Sequence, residues 1–295
     1  TSLAATSGLP NALQKAMADA DVTLFLARLG DQLRFSEMPQ GAVVLNSYTL
    51  NPTLLTSAFS TARIEAFVAL KEEVDQALCA ADEIEITCPE GTNVRGVAKS
   101  THPQAQTSLK RFPLSVFSPV SAATFSGRVA LCGFLTGTGS RYYDDYTTWF
   151  QGKVLAHFTH GRLEGFEGTP GDVARAEAQY DRVSDLFGID RNAVHSWHAG
   201  LHPGCGFAWD VRVATELWGG AAFGNPRILH FHTCGAYAPG EISWNVVDPS
   251  ILVDGLPVWE RGRFHPERLS KGAVILAEYP CARAAFDHPD RRIGW

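Results

Sequence analysis

Two short segments of this 295-residue chain concentrate its imidazole side chains. His195, His198 and His202 lie in the first segment and His230 and His232 in the second, which together hold half of the ten histidines. Residues two apart on a strand point to the same face, so we expect His230 and His232 to share one. Imidazoles that converge from two segments are a common way to build a metal site. The pattern predicts one divalent metal ion held by His230, His232 and a ligand from the first segment, where His198 is favoured over His195 and His202.

A purely structural interpretation of these histidines is also open at this point. One member of the pair His230 and His232 would then be a buried hydrogen-bonding residue and the other would be exposed. The neighbouring Cys205 and Cys234 would be small buried apolar side chains. The two interpretations differ in whether the imidazole nitrogens meet at one point in space.

Other catalytic patterns are missing from the sequence. It contains no G-x-S-x-G, which disfavours a Ser-His-Asp hydrolase, and no H-E-x-x-H. The glycines Gly137 and Gly139 are not followed by Lys-Ser/Thr, and no G-x-G-x-x-G is present, so a nucleotide site is disfavoured. The histidine segments are therefore the main source of functional information.

The composition indicates which kinds of partner and which cellular compartment to expect. A net charge of −6 and a pI near 5.9 disfavour nucleic acid as a partner. No apolar run approaches the ~20 residues that span a bilayer, and residues 1–10 do not have the pattern of a signal peptide. The six cysteines form no C-x-x-C pair, which is typical of reduced thiols. We therefore expect a cytoplasmic protein with no membrane partner and a small-molecule substrate.

The elements that must position the histidines are predicted from periodicity. Apolar residues at helical spacing predict a helix from Thr61 to Ala80, and Asp172 to Phe187 is a second helix with Asp172 as N-cap and Gly188 near its end. His160-Gly161 is a predicted hairpin turn. Short apolar or alternating runs predict strands at 21–27, 42–48, 83–88, 114–118, 127–132, 154–159, 162–167 and 271–278.

The predicted fold class is α/β (α+β) in two parts. A strand, a helix and a strand in succession over residues 42–88 suggest an α/β unit with a crossover helix. The polar stretch 100–110 is interpreted as a linker. The prediction is an open N-terminal α/β domain over 1–105 and a β-rich domain over 106–295 that carries the site.

Several segments of the chain resemble a known pair of families. They are similar to segments of the aminopeptidase T family, which uses two metal ions, and of the 2,5-dihydroxypyridine 5,6-dioxygenases, which use one iron(II). The resemblance covers most of the chain. The similar segments are Pro113–Pro119, the hairpin His160-Gly161-Arg162, Trp197–Gly204, His230–Tyr237, Ile242–Asn245 and Val253-Asp-Gly255.

The resemblance assigns roles residue by residue. It places the first iron-binding histidine of the dioxygenases on His198, and a metal-binding histidine and the catalytic tyrosine of the peptidases on His230 and Tyr237. Where those families have further metal ligands, this chain has Ser243 and Asn245. Ser115 likewise replaces a metal-binding glutamate of the peptidases. A two-metal site needs carboxylates, so the departures disfavour a peptidase centre.

Three functions follow as hypotheses. The first is a mononuclear metal enzyme, with Fe(II) favoured over Zn or Mn, that cleaves the ring of a small polar aromatic or N-heterocyclic substrate. Tyr237 or His195 would act as acid or base, and Arg141, Arg227 and His202 would bind substrate. The second is a metal-dependent hydrolase of amide or C–N bonds. The third is a non-catalytic protein that has lost the site. The resemblance also implies a homo-oligomer.

Overall fold

The structure is a computed structural model, which describes residues 10–26, 29, 33, 43–49, 51–98 and 110–295. The predicted linker over 100–110 and the domain boundary after residue 105 lie outside this part of the chain, apart from Lys110. Within it, no helix combines the length and the apolar character that crossing a bilayer requires.

The strands of the described residues fall into three sheets. They are β1 (Val22–Phe25), β2 (Val43–Ser47), β3 (Ile84–Thr87), β4 (Asn93–Gly96), β5 (Lys110–Phe112), β6 (Val120–Ser121), β7 (Ser126–Leu131), β8 (Phe134–Gly137), β9 (Thr147–Trp149), β10 (Val154–Thr159), β11 (Arg162–Glu167), β12 (Val194–Ala199), β13 (Ile228–Cys234), β14 (Glu241–Val247), β15 (Ser250–Val253), β16 (Leu256–Glu260) and β17 (Arg263–Phe264).

Helices connect and cover these sheets. They are α1 (Asn11–Asp19), α2 (Pro52–Leu55), α3 (Ala58–Thr61), α4 (Ile64–Ala80), α5 (Pro170–Phe187), α6 (Thr215–Ala221), α7 (Gly272–Glu278) and α8 (Pro280–Asp287). Within the described ranges, three short 3₁₀ helices lie at Ala122–Thr124, Ala222–Gly224 and Pro266–Arg268.

The order of the strands decides how the site is positioned. A small parallel sheet runs β1-β2-β5, and a large sheet runs β11-β10-β7-β4-β3-β15-β16-β17. The third sheet has the order β6-β12-β13-β14-β8-β9 and is antiparallel throughout. Both histidine segments lie on adjacent strands of this third sheet, β12 and β13. The expected mixture of helices and strands in an α/β fold is confirmed.

The predicted crossover unit takes a different form. β2 belongs to the small sheet, whereas β3 pairs antiparallel with β4 and β15 in the large sheet. Strands from both sides of residue 105 thus share one sheet, with β4 paired to β7. The helix α4 between β2 and β3 leads from one sheet to another rather than between parallel neighbours.

Both long helices occur where the periodicity predicts them, but one cap differs. α4 buries Phe67, Leu70, Val74 and Leu78 at intervals of three and four residues. At the start of α5 the N-cap is Thr169, whose side chain accepts from the backbone N–H of Asp172. The end is as predicted, with Gly188 in the left-handed region at φ 63°.

Two predicted strands are wrong. Residues 271–278 form the helix α7, where Gly272, Ile275 and Leu276 are buried at helical rather than alternating spacing. A short apolar run does not distinguish a strand from a buried helix, and the packing of α7 against α4 decides in favour of the helix. Residues 114–118 contribute only an isolated bridge between Val116 and Gly200.

Candidate metal centre

The six-stranded sheet has one apolar and one polar face. The apolar face packs into the main core through Trp197, Ala199, Leu229, Phe231, Ile242, Trp244 and Val246. Side chains alternate along each strand, so the residues between these positions lie on the opposite face. That face carries His198, His230, His232, Ser243 and Asn245, all of them buried.

The three histidines of the polar face converge. His198 on β12 is directly opposite His230 on β13, and His232 follows two residues later on the same face. The Nε2 atoms of His198 and His230 are 2.6 Å apart, and those of His198 and His232 are 3.1 Å apart. One nitrogen from each of the three rings lies within 4.8 Å of the others. Three buried imidazoles therefore present their Nε2 atoms to one point.

An acceptor group lies on the far side of two of the rings. Nδ1 of His198 lies 3.2 Å from the backbone carbonyl of Phe117, which can only accept a hydrogen bond. This partner places the ring proton of His198 on Nδ1, so Nε2 of His198 carries a lone pair. Nδ1 of His232 lies 2.9 Å from Oε1 of Glu241, a close contact without the geometry of a hydrogen bond.

This arrangement fits a metal ion. Imidazole nitrogens from two adjacent strands lie within 4.8 Å of one another, and imidazole nitrogen is a common ligand of divalent transition metals. The carboxylate of Glu241 lies behind the ring of His232, as in the carboxylate–histidine–metal arrangement that orients metal-bound imidazoles in proteins. The three-histidine group, which is what the sequence predicts, is therefore a candidate site for one divalent ion.

Neighbouring side chains fix the geometry of the rings. Oγ of Ser243 donates to Oε1 of Glu241 at 3.0 Å, and both residues are buried. The ring of Phe223 stacks on His230 with a centroid distance of 3.9 Å and an interplanar angle of 20°. The imidazoles of His230 and His232 are thus supported by an aromatic ring and a carboxylate.

The ladder between β13 and β14 places two further polar residues beside the histidines. His230 is paired with Asn245 and His232 with Ser243. Residues paired across an antiparallel ladder share a face, with Cβ atoms about 4.5–5.5 Å apart. The positions where the resembled families carry ligands on one strand hold Ser243 and Asn245, while this chain places its histidines directly opposite, on the neighbouring strand.

A cleft opens over the histidines. It has about 900 Å³ of empty space, part of it open to solvent. Its walls combine hydroxyls, glycines and apolar groups with the three imidazoles. Its lining includes Arg111, Leu114, Val116, Phe223, Glu241 and Ser243.

The other two histidines of the first segment point elsewhere. His195 is half-buried, and its Nε2 lies 2.8 Å from the backbone carbonyl of Cys234. His202 is fully buried, stacked on Phe67 with a centroid distance of 3.7 Å, and its Nδ1 accepts from the N–H of Gly204. Burial lowers the pKa of His202 to about 3, so this ring is neutral at pH 7. Neither side chain lines the cleft.

The remaining predicted site residues also lie outside the cleft wall. The sequence predicts that Arg141 and Arg227 bind the substrate. Neither residue lines the cleft. Arg227 forms a two-point ion pair with Asp248, at 2.6 Å for each contact. Tyr237 is half exposed, although its neighbour Ala238 lines the cleft. The structure thus brings together the three histidines predicted as ligands, and the other predicted site residues do not line the cleft.

Sequence reasoning missed Glu241 and Arg111. Glu241 lies two residues before Ser243, so alternation along β14 puts both on the face that carries the histidines. That signal could have been read from the sequence once β14 was paired with β13. Arg111 comes from β5 in a different sheet, and no local pattern connects it with the histidines.

Comparison with known proteins shows the fold. No family model matches the chain, and no curated protein matches it significantly. It is similar to 2,5-dihydroxypyridine dioxygenase from Pseudomonas putida KT2440, with 13% identity, a TM-score of 0.53, and coverage of 86% of this chain and 74% of that chain. It is also similar to wild-type AmpT from Thermus thermophilus, with 14% identity, a TM-score of 0.44, and coverage of 86% and 80%. These neighbours correspond to the two families that the sequence motifs resemble.

Proposed function

We propose that this chain is a mononuclear metal-dependent enzyme that cleaves the ring of a small aromatic or N-heterocyclic substrate. The observation that carries the proposal is the convergence of the Nε2 atoms of His198, His230 and His232 beneath an open cleft. The fold shared with the dioxygenase supports ring cleavage as the first candidate reaction.

Each residue of the site has a separate role in this proposal. The three histidines hold the ion, Glu241 orients His232, and Phe223 covers one face of His230. The cleft admits the substrate beside them. A bound Fe(II) ion would activate dioxygen, as in non-haem oxygenases. The acid or base roles predicted for Tyr237 and His195 are not part of this proposal, because neither side chain lines the cleft.

A second candidate reaction is hydrolysis with zinc. Three histidines with an open position also form a known catalytic zinc site, in which the metal lowers the pKa of bound water to about 7. The same three nitrogens favour this candidate. Assembly into a homo-oligomer and a cytoplasmic location stay predictions.

Metal analysis of the purified protein tests the proposal. The protein is reconstituted without oxygen with Fe(II), Zn²⁺ or Mn²⁺ in turn, desalted, and assayed for each metal. We expect about one equivalent in the wild type and loss of binding in His198→Gln, His230→Gln and His232→Gln. His195→Gln is the matched control and should bind metal like the wild type, because its ring lies against Cys234.

Oxygen consumption then separates the two reactions. The iron-loaded protein is incubated with 2,5-dihydroxypyridine or related ring compounds in an oxygen electrode. Uptake that depends on both iron and substrate supports the oxygenase. Uptake that is absent, together with zinc-dependent amide hydrolysis, supports the hydrolase. A metal content below about a tenth of an equivalent in all preparations would favour the hypothesis of a non-catalytic protein.

A further inference from the structure

A positive charge lies in the wall of the cleft. Arg111 is the only arginine or lysine among the described residues that line it. Its side chain is half-buried. It forms no ion pair with any residue of the described ranges, unlike Arg227, which binds Asp248 with two contacts.

The charges of the cleft favour an anion. Glu241 is the only carboxylate among the described lining residues, and it contacts His232 and Ser243. Glu241 thus already has partners in the cleft wall, whereas Arg111 has no carboxylate partner among the described residues, so its positive charge is left for a ligand. A negatively charged ligand would restore the balance.

Arg111 has the chemistry to bind such a ligand at one end. A guanidinium group matches a carboxylate with two parallel N–H···O bonds, and partial burial strengthens them relative to the same bonds in water. The cleft also offers apolar surface to a flat ring, from Leu114, Val116 and Phe223. A molecule with both features is a small aromatic carboxylic acid.

The geometry points to Arg111 as the carboxylate-binding residue of this cleft, selecting small aromatic carboxylic acids as its ligands. The inference deepens the proposed function, on which it rests for the use of the site in catalysis. It replaces Arg141 and Arg227, to which the sequence assigned this contact. The binding of the acid itself does not require the metal.

Binding of benzoate and of its neutral analogue benzamide tests the assignment. Affinities are measured by calorimetry on the full chain, both metal-free and zinc-loaded. We expect benzoate to bind more tightly than benzamide in both forms. Arg111→Met should weaken benzoate binding by about 10- to 100-fold and leave benzamide unchanged. Arg111→Lys should retain part of the preference for benzoate over benzamide, because it keeps the positive charge and loses the two-point geometry.

The matched control is Lys110→Met. It removes the same charge one residue earlier on β5, where the side chain is exposed and lies outside the cleft wall. Circular dichroism and zinc content of each variant show that the fold and the metal centre are intact. The control should bind benzoate like the wild type.

The outcomes distinguish this inference from the proposed function. Benzoate binding that Arg111→Met leaves unchanged would overturn the assignment, because the carboxylate would then bind elsewhere, for example on the metal. The absence of benzoate binding to the wild type at millimolar concentration would overturn it too, as would equal losses in Lys110→Met. A protein that discriminates benzoate through Arg111 but binds no metal retains this site and refutes the proposed function.

Discussion

Oε1 of Glu241 lies 2.9 Å from Nδ1 of His232, and both side chains are buried. The carboxylate lies behind the ring, on the side that faces away from the other histidines. A buried charge of this kind is stabilised only where it has partners, and here Ser243 donates a hydrogen bond to the same oxygen. The pair therefore sets the orientation of one ligand of the proposed centre.

Replacing Glu241 should weaken metal binding without abolishing it. Glu241→Gln keeps an acceptor of similar size and removes the negative charge that lies beside Nδ1 of His232. Substitutions of such supporting groups cost about 10- to 100-fold in metal affinity. Chelator competition with Zn²⁺ measures the change. The control is Glu267→Gln, which alters a similar pair with His265 outside the site. Equal affinities in the wild type and Glu241→Gln would contradict the proposed role.

Burial of His202 should make stability depend on pH. Its pKa is about 3 in the folded state because burial disfavours the charged ring, against about 6.5 in the unfolded chain. The folded state thus binds fewer protons. Stability from this residue is complete above pH 6.5 and decreases as the pH falls towards 3, by up to about 1.4 kcal/mol per pH unit.

His202→Phe should remove this part of the pH dependence. The free energy of unfolding is measured in urea at pH 7 and at pH 5 for both proteins. We expect the wild type to lose more stability than the variant between the two values. His160→Gln, an exposed change, should behave like the wild type. Identical pH slopes for His202→Phe and the wild type would show that His202 does not titrate in this way.

Asp172 should stabilise the start of α5 until the solution is strongly acidic. Its buried carboxylate accepts backbone hydrogen bonds from Gln151 and Gly152 and contacts Thr169 and Arg175. The bond from Gln151 is the largest of the causes that lower the pKa of Asp172 to about 2. A lowered pKa means that the contribution is present above pH 4 and lost as the pH falls through about 2.

Asp172→Asn should therefore lower the melting temperature at neutral pH. The amide offers one acceptor where the carboxylate offers two, and its NH₂ group faces an N–H donor. We expect a decrease of several degrees at pH 7 that narrows as the pH approaches 2, measured by thermal unfolding. If Asp172→Asn and the wild type have the same melting temperature at pH 7, Asp172 does not stabilise α5 in this way. Asp185→Asn, on the same helix, is the control.

A hydrogen-bond group beneath the six-stranded sheet should contribute to stability. The hydroxyl of Tyr180 contacts Oγ1 of Thr233 and accepts from Nε1 of Trp244 at 2.6 Å. Tyr180→Phe leaves the indole N–H buried without this partner, which costs about 1–3 kcal/mol. Urea denaturation measures the loss, and Tyr279→Phe in a half-buried position is the control. Since Tyr180 packs on the apolar face, metal content should not change.

The local sequence pattern identified the three histidines of the candidate metal site. It did not identify the other residues that support them or line the cleft. Alternation along β13 is sufficient to put His230 and His232 on one face. The choice of His198 from three candidates depends on the pairing of β12 with β13, which contains an irregularity between Val194 and Ser196. That pairing is a long-range property, and it leaves His195 and His202 outside the site.

The parts that sequence reasoning missed depend on contacts between distant segments. Arg111 reaches the cleft from the small parallel sheet, and Glu241 reaches His232 only through the ladder of β13 and β14. The error at α7 has another cause. The apolar run from Gly272 to Glu278 is too short for periodicity to distinguish a helix from a strand, so tertiary packing decides.

The ladder that pairs His230 with Asn245 and His232 with Ser243 has a consequence for how such a centre can change its chemistry. Residues 230, 232, 243 and 245 share one face of two adjoining strands, so a donor side chain can be placed on either strand while the backbone stays in place. Point substitutions at these positions are then enough to exchange nitrogen for oxygen donors. The fold sets where the donors lie, and the donor types set which ion they prefer.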